Sequence, residues 1–324
     1  MTLTLLPLSL LYRFVYSART ALYSHGVYAS YRASVPVIIV GNLTVGGAGK
    51  TPLVIELLTR LQDMGLNPGV ISRGYGSRAD NYPLLVDKTL DPAICGDEPL
   101  LIAQRTGLPV VIGPNRRDDV ELLLSDSNVD IIVSDDGLQH LALGRDIEIC
   151  LIDKTTHSDN QFTLPAGPYR EPVSRFATTN INVLHVLPDQ FEYLPTMPND
   201  LSKQPPAMTL KVGEVASVNK VSGQKFEPDA GVHAVAGIGK PERFFASCRQ
   251  MGWNISSHAF ADHHAYIEQD LDFADDLPIV MTEKDAVKCQ NFAQENLWYL
   301  PVDAKLNTSF EEQLRYELQR INLL

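Results

Sequence analysis

A lysine and a hydroxyl at the end of a glycine-rich run are the residues of this chain best equipped to handle phosphate. Thr44-Val45-Gly46-Gly47-Ala48-Gly49-Lys50-Thr51 lies between an apolar run, Val37–Val40, and a helical pattern that starts at Leu53. Small residues let consecutive backbone N–H groups curl around phosphate oxygens, and the following helix turns its positive end toward them. Lys50 can then reach the terminal phosphates of a nucleotide, and the Thr51 hydroxyl can ligate Mg²⁺. Thr44 stands where the usual pattern has glycine, so the loop is of the G-G-x-G-K-T kind. ATP and Mg²⁺ are the cofactors such a loop implies.

Two carboxylates suit the same chemistry. Asp135 and Asp136 close an apolar run, Val129–Ser134, 85 residues after Lys50. A carboxylate at such a strand end is the Mg²⁺ partner of nucleotide-binding loops. Neighbouring side chains on a strand point to opposite faces, so one can serve the ion while the other orients a neighbour. The sequence leaves open which does which; Asp135 is assigned here to the metal and Asp136 to catalysis. Gln139 and His140 follow and can line the same cleft. Arg73 sits in a Gly-flanked loop after Pro68–Ser72, where ligands of open α/β sheets gather; the alternative is a solvated loop arginine. Asp97, in Gly96-Asp97-Glu98-Pro99, opens a helix, and helix capping is its plain alternative role. Asp262-His263-His264 offers three ligand-type residues in a row. Adjacent residues rarely converge on one ion, so a histidine oriented by a carboxylate suits them better than zinc.

The elements that must position these residues are legible in outline. Short apolar strands at 37–40, 68–72, 109–112, 129–134 and 147–153 alternate with helical patterns, which predicts a doubly wound, mostly parallel α/β sheet of the P-loop NTPase kind. Prolines recur from Pro188 to Pro206 as in a linker, and Ser217–Phe226 reads as a hairpin around Ser222-Gly223. Strand and helix signals restart at Gly231, which predicts a second, smaller α/β domain. The expected units are a 1–34 helical segment, a 35–212 nucleotide-binding domain and a 213–324 smaller domain.

Composition narrows the function. With 27 basic and 39 acidic residues the chain carries a net −12, which argues against nucleic acid as a partner. The cysteines, Cys95, Cys150, Cys248 and Cys289, lack metal or redox spacing. The N-terminus differs from this average: no acid precedes Glu56, while Arg13, Arg19 and Arg32 interleave with leucines and with Tyr12, Phe14, Tyr16 and Tyr23. The apolar stretch is too short and interrupted to span a bilayer. It suits an interfacial helix at an anionic membrane surface, or else a core-packing helix ahead of the first strand.

Taken in order, the runs G-N-L-T-V-G-G-A-G-K-T-P (41–52), S-R-G-Y-G (72–76), G-D-E-P (96–99), D-D-G-L-Q-H (135–140), L-P-A-G-P-Y-R-E-P (164–172), A-G-I-G-K-P-E-R-F-F (236–245), A-D-H-H (261–264) and M-T-E-K-D-A-V-K (281–288) resemble the tetraacyldisaccharide 4′-kinases, the lipid A 4′-kinases of Gram-negative bacteria. The resemblance covers nearly the whole chain. It implies ATP-dependent phosphorylation of the 4′-hydroxyl of a tetraacylated glucosamine disaccharide 1-phosphate, at the cytoplasmic face of the inner membrane. It makes Asp97 the base and a histidine of the 263–264 pair, His263 by preference, its partner. Arg170 and Glu171 match a cleft motif near sugar or phosphate, and Arg73 and Arg116 become candidates for neutralising transferred charge. The site then forms between two domains. Two other classes fit less of the chain: a membrane-associated switch ATPase acting through protein partners, and a metal hydrolase built on the 262–264 run.

Overall fold

The computed structural model describes residues 3–155, 160–194, 204–219 and 225–324. Helix α1 (Leu6–Ser24) comes first, then strand β1 (Val37–Asn42), α2 (Lys50–Asp63) and β2 (Pro68–Ser72). A short β3 (Leu84–Leu85) and α3 (Pro92–Cys95) lead to α4 (Asp97–Thr106), β4 (Val110–Ile112), α5 (Arg116–Asp126), β5 (Ile131–Ser134) and β6 (Ile147–Asp153). The chain continues through β7 (Ile181–His185), α6 (Pro188–Phe191), β8 (Ala207–Val212) and β9 (Ala216–Ser217). The last third holds β10 (Val232–Ala236), α7 (Pro241–Gln250), β11 (Ile255–Ala259), β12 (Ile279–Thr282), α8 (Glu283–Ala286), β13 (Leu297–Leu300), β14 (Val302–Leu306) and α9 (Thr308–Arg320).

Among the described residues the strands form two sheets. The larger runs β14-β8-β7-β6-β1-β5-β2-β4-β3, parallel from β8 to β4 with an antiparallel strand at each edge. The smaller runs β11-β10-β12-β13-β9, parallel except for β9. Central strands of a parallel sheet are covered on both faces and need continuous apolar sequence. Val37–Val40 and Ile131–Val133 supply it and are buried throughout.

Two sequence expectations change here. Residues 302–320, expected with the smaller domain, return to the larger sheet: β14 extends its edge beside β8, and Phe310, Leu314 and Leu318 of α9 pack into its core. The physical reason is their spacing, one apolar residue per turn on one helix face. The hairpin expected around Ser222-Gly223 is centred outside the described residues, as is part of the proline-rich stretch. β9 pairs instead with β13, Trp298 opposite Ser217.

Helix α1 stands apart from the cores. Ser9, Tyr12 and Tyr16 share its inward face, and the Leu8, Leu10, Leu11, Phe14 and Val15 side chains fan over an arc of about 160° on the other. Those five are exposed, Phe14 by 70%.

Candidate active site

The parallel pairing of β1 with β5 sets Ile39 opposite Ser134. The loop leaving β1 therefore lies beside the Asp135-Asp136 turn, as ligand sites at the carboxyl ends of parallel strands require. Gly41 permits this approach, since a Cβ there would meet the Leu138 side chain at 2.8 Å. The loop ends at Gly49, which caps α2 with φ 91°, a left-handed conformation open to glycine. The first turn of α2 thus carries Lys50 and Thr51 into the cleft. Asn42, fully buried, holds the loop in shape. Its amide donates to the Thr44 carbonyl at 2.8 Å and to the Thr44 hydroxyl at 3.1 Å, and its oxygen accepts from Lys50 Nζ at 3.1 Å. Thr44 in place of glycine is explained by this bond and by its bridge to Tyr169, an extended contact that suits a β-branched residue.

The two aspartates are in different environments. Asp135 is 2% exposed, and its Oδ1 has no hydrogen-bond partner among the described residues. Burial pushes its carboxyl up to about 7, with the nearby Glu98 and Asp136 charges adding to the rise. Asp136 adopts φ 48°, uncommon outside glycine, and so turns its carboxylate between Lys50, 3.5 Å away, and Arg170, 3.2 Å away. Burial works to raise Asp136, but those two cations outweigh it and hold it below the usual carboxylate range.

The remaining expected residues separate into cleft and support. Arg73, Gln139, His140 and Arg170 line a cleft of about 1030 Å³ together with the phosphate loop from Gly46 to Thr51. Burial, with Arg116 and Arg73 nearby, pushes His140 down to about 4, so it is neutral at pH 7. Arg116 does not line that cleft. It is buried beneath it, bonded to the Gly113 carbonyl at 3.2 Å and to Asp119 at 2.9 Å, where its charge acts on Asp135 and His140 through the protein. Glu171 is also buried rather than lining the cleft. Its carboxylate accepts from the Gln139 amide at 2.5 Å and from the Tyr16 hydroxyl at 2.6 Å.

The smaller lobe closes the opposite wall with Gly239, Lys240, Arg243, Asp262, His263 and Lys284. Gly96 is the cap of α4, so Asp97, although its Oδ1 accepts from the Glu98 N–H at 2.9 Å, is not the capping residue. Its carboxylate instead meets His263 Nδ1–H at 3.0 Å across the lobes. Burial would raise Asp97; the His263 hydrogen bond and the Lys284 and Lys288 ammonium groups outweigh it and hold the carboxyl low. Its bond to Asp97 raises His263 in turn. His263 Nε2 faces Lys284 Nζ at 3.3 Å, and its ring packs on Tyr75 with centroids 5.0 Å apart. Asp97 itself opens to a neighbouring interlobe cleft of about 920 Å³, and the two clefts share Tyr75, Leu101, His263 and Glu283. His264 turns away and bonds Asp270 at 2.9 Å, so the 262–264 run does not converge on one point. Of the pair left open by sequence, His263 is the one that meets Asp97.

Three residues at the site had no role in the sequence reading. Lys284 sits in the quoted 281–288 run, yet only the fold shows its bonds to Glu98 at 2.9 Å and to His263. Asn42 sits in the 41–52 run, where nothing marks its side chain as inward. Asp153, at the end of β6, holds Lys240 at 2.8 Å and Arg243 at 2.9 Å; a strand-end acid beside a basic helix start is the faint signal that was there.

The chain matches the family described as tetraacyldisaccharide-1-P 4′-kinase over residues 1–319. It is 44% identical over 316 residues to the tetraacyldisaccharide 4′-kinase of Nitrosococcus oceani, covering 98% of this chain and 90% of that protein. It is 47% identical over 307 residues to the tetraacyldisaccharide 4′-kinase of Actinobacillus succinogenes, covering 93% and 90%. The fold superposes on a crystal structure of LpxK from Aquifex aeolicus in complex with ATP with a TM-score of 0.79 and 29% identity, covering 99% of each chain.

Proposed function

The chain belongs to the tetraacyldisaccharide-1-P 4′-kinase family, and from that premise we propose how its own residues divide the work and where it works. The protein is an ATP-dependent kinase of lipid A biosynthesis that phosphorylates the 4′-hydroxyl of the tetraacylated disaccharide 1-phosphate. Phosphoryl transfer asks a protein for positioning and charge neutralisation more than for covalent chemistry. The backbone N–H groups from Thr44 to Gly49 cradle the phosphates of ATP, and Lys50 neutralises the transferred group. Arg170, steered by Asp136, adds a second cation on the same side. Thr51 and Asp135 are the residues that would hold Mg²⁺, and the orphaned, buried Asp135 Oδ1 fits a hard cation. When bound, that ion shields the phosphate charge. Asp97 takes the proton from the 4′-hydroxyl as its oxygen bonds to the γ-phosphorus. The bond to ADP breaks, and ADP leaves with the electron pair. His263 orients Asp97, and His140 and Arg73 face the acceptor.

We place the enzyme at the cytoplasmic surface of the inner membrane, seated by α1. No helix among the described residues is long and apolar enough to cross a bilayer. The outward Leu8, Leu11, Phe14 and Val15 suit shallow insertion, with Arg13 and Arg19 toward anionic headgroups. The expected division into 35–212 and 213–324 is kept as a functional proposal, the nucleotide lobe against the lobe that brings His263, with residues 302–320 serving the former.

The observation that supports this reading is the Asp97–His263 bond formed between the lobes, with His263 also lining the cleft that the phosphate loop occupies. Acceptor-dependent ADP release tests it. Asp97→Ala should keep ATP binding and lose transfer to the lipid disaccharide. ATP turnover at one rate with and without acceptor would instead support a switch ATPase.

A further inference from the structure

We infer that Tyr16, on the helix that meets the membrane, is a positioning residue for phosphoryl transfer. The inference rests on the roles proposed above for Arg170 and Lys50. Tyr16 lies on the inward face of α1 and its hydroxyl donates to Glu171 Oε2 at 2.6 Å. Glu171 is 1% exposed, so its carboxylate depends on protein donors alone. Those donors are Tyr16, Gln139 on Oε1 at 2.5 Å, and Arg175, whose Nε is 3.3 Å away.

The polar contacts continue inward. The Gln139 amide that Glu171 holds also lies 3.4 Å from the Asn42 carbonyl, and its oxygen faces Arg170 Nη1 at 3.5 Å. Arg170 pairs with Asp136, Asp136 with Lys50, and Asn42 holds Lys50 from the other side. Tyr16 thus stands at the outer end of a polar chain with two branches, and both end at the lysine of the phosphate loop. Burial and the Glu171 bond together push the Tyr16 hydroxyl up to about 12, so it stays a donor throughout the working range.

Removing this one donor leaves a buried carboxylate short of a partner. Glu171 then turns toward Arg175, which already approaches it, and releases Gln139. Arg170 loses its second contact and Lys50 its fixed setting. Tyr16 does not face the bilayer, so membrane binding is untouched. The chain therefore ties the seat of α1 on the body of the enzyme to the placement of the two cations that meet the phosphoryl group.

Tyr16→Phe in the full chain, which keeps the ring and removes the hydroxyl, is the test. Sedimentation with vesicles containing anionic phospholipid, ATP binding, kcat and the acceptor KM are measured together. Loss of a hydrogen bond to a buried charge should lower kcat by about 10-fold. Vesicle binding, ATP binding and acceptor KM should stay within about two-fold, while Leu11→Ser should show the reverse pattern. On a Glu171→Gln background Tyr16→Phe should add little further loss, because residues in one network are not additive. An unchanged kcat, a loss confined to vesicle binding and KM, or full additivity with Glu171→Gln overturns the inference. Arg170→Ala separates the two levels of the argument. If it abolishes transfer while Tyr16→Phe leaves kcat unchanged, the chain of bonds fails and the site reading stands; if Arg170→Ala is itself active, both fall.

Discussion

Helices α1 and α2 draw on similar leucine-rich sequence and use it in opposite directions. In α2, Leu53, Val54, Leu57, Leu58 and Leu61 are wholly buried against the larger sheet. In α1 the inward face is polar: Ser9 bonds Thr163, Tyr12 bonds the Arg170 carbonyl and Tyr16 bonds Glu171, while the leucines and Phe14 face out. One helix is held by the hydrophobic effect and carries the phosphate lysine at its start. The other is held by hydrogen bonds and leaves its apolar surface uncovered among the described residues. Contiguous exposed apolar patches of this kind mark interaction surfaces.

The sharpest way to break this contrast is to truncate one leucine on each helix. Leu57→Ala should destabilise by ~2–5 kcal/mol, as buried leucines do, while Leu11→Ala should stay within about 0.5 kcal/mol, both read from denaturant midpoints. Equal costs would make α1 a core helix. At the chemical end of α2, Lys50→Ala should lower kcat/KM by at least ~10²-fold, about 2.7 kcal/mol, with stability unchanged; near wild-type transfer would remove the ATP-site assignment. On α1, deleting residues 1–32 should weaken liposome binding and raise the acceptor KM with ATP binding intact. Replacing Arg13, Arg19 and Arg32 by Gln should weaken binding mainly to anionic vesicles, by up to ~1 kcal/mol each, and high salt should mimic it. A truncated protein that binds liposomes as well as the full chain rules the membrane role out.

The smallest effect concerns pH and assigns it to neither helix. Asp97 is depressed in the folded state, so its contribution to stability is present above about 3.9 and fades as pH falls through its lowered value. His263 is raised, so its contribution is full below about 6.5 and is lost as pH climbs through its raised value. The stability difference between wild type and His263→Gln should therefore be widest from about pH 4 to 6.5. Truncating α1 should leave that profile unchanged, and a flat difference between wild type and His263→Gln would show the pair to be uncharged.

The sequence carried the nucleotide loop well because its chemistry is local: Gly49, Lys50 and Thr51 are neighbours in chain and in space. The strands that flank it were legible for the same reason, as uninterrupted apolar runs. The Asp97–His263 pair is 166 residues apart and became visible only through family resemblance, then through the fold. Arg116 and Glu171 show the opposite limit. The family resemblance suggested that they face ligand, but a charge next to a cleft can equally sit beneath it, and only burial tells the two apart. Tyr16 was hidden inside a stretch whose composition spoke of membrane, because composition does not say which face a helix turns inward.

The contact between lobes is rich in charged and polar side chains. Asp153 holds Lys240 and Arg243, Glu98 holds Lys284, Arg105 holds Glu283 at 2.8 Å, and Gln104 and Gln290 exchange side-chain bonds. Pulling apart an oily seam leaves bare hydrocarbon in water at a cost that grows with area. Parting a seam of charges hands each group back to water, which solvates it well and so offsets part of the lost attraction. The two lobes are therefore joined in large part by charge, with Val287 of the smaller lobe packed into the larger core. Salt therefore acts on this seam more than on either core.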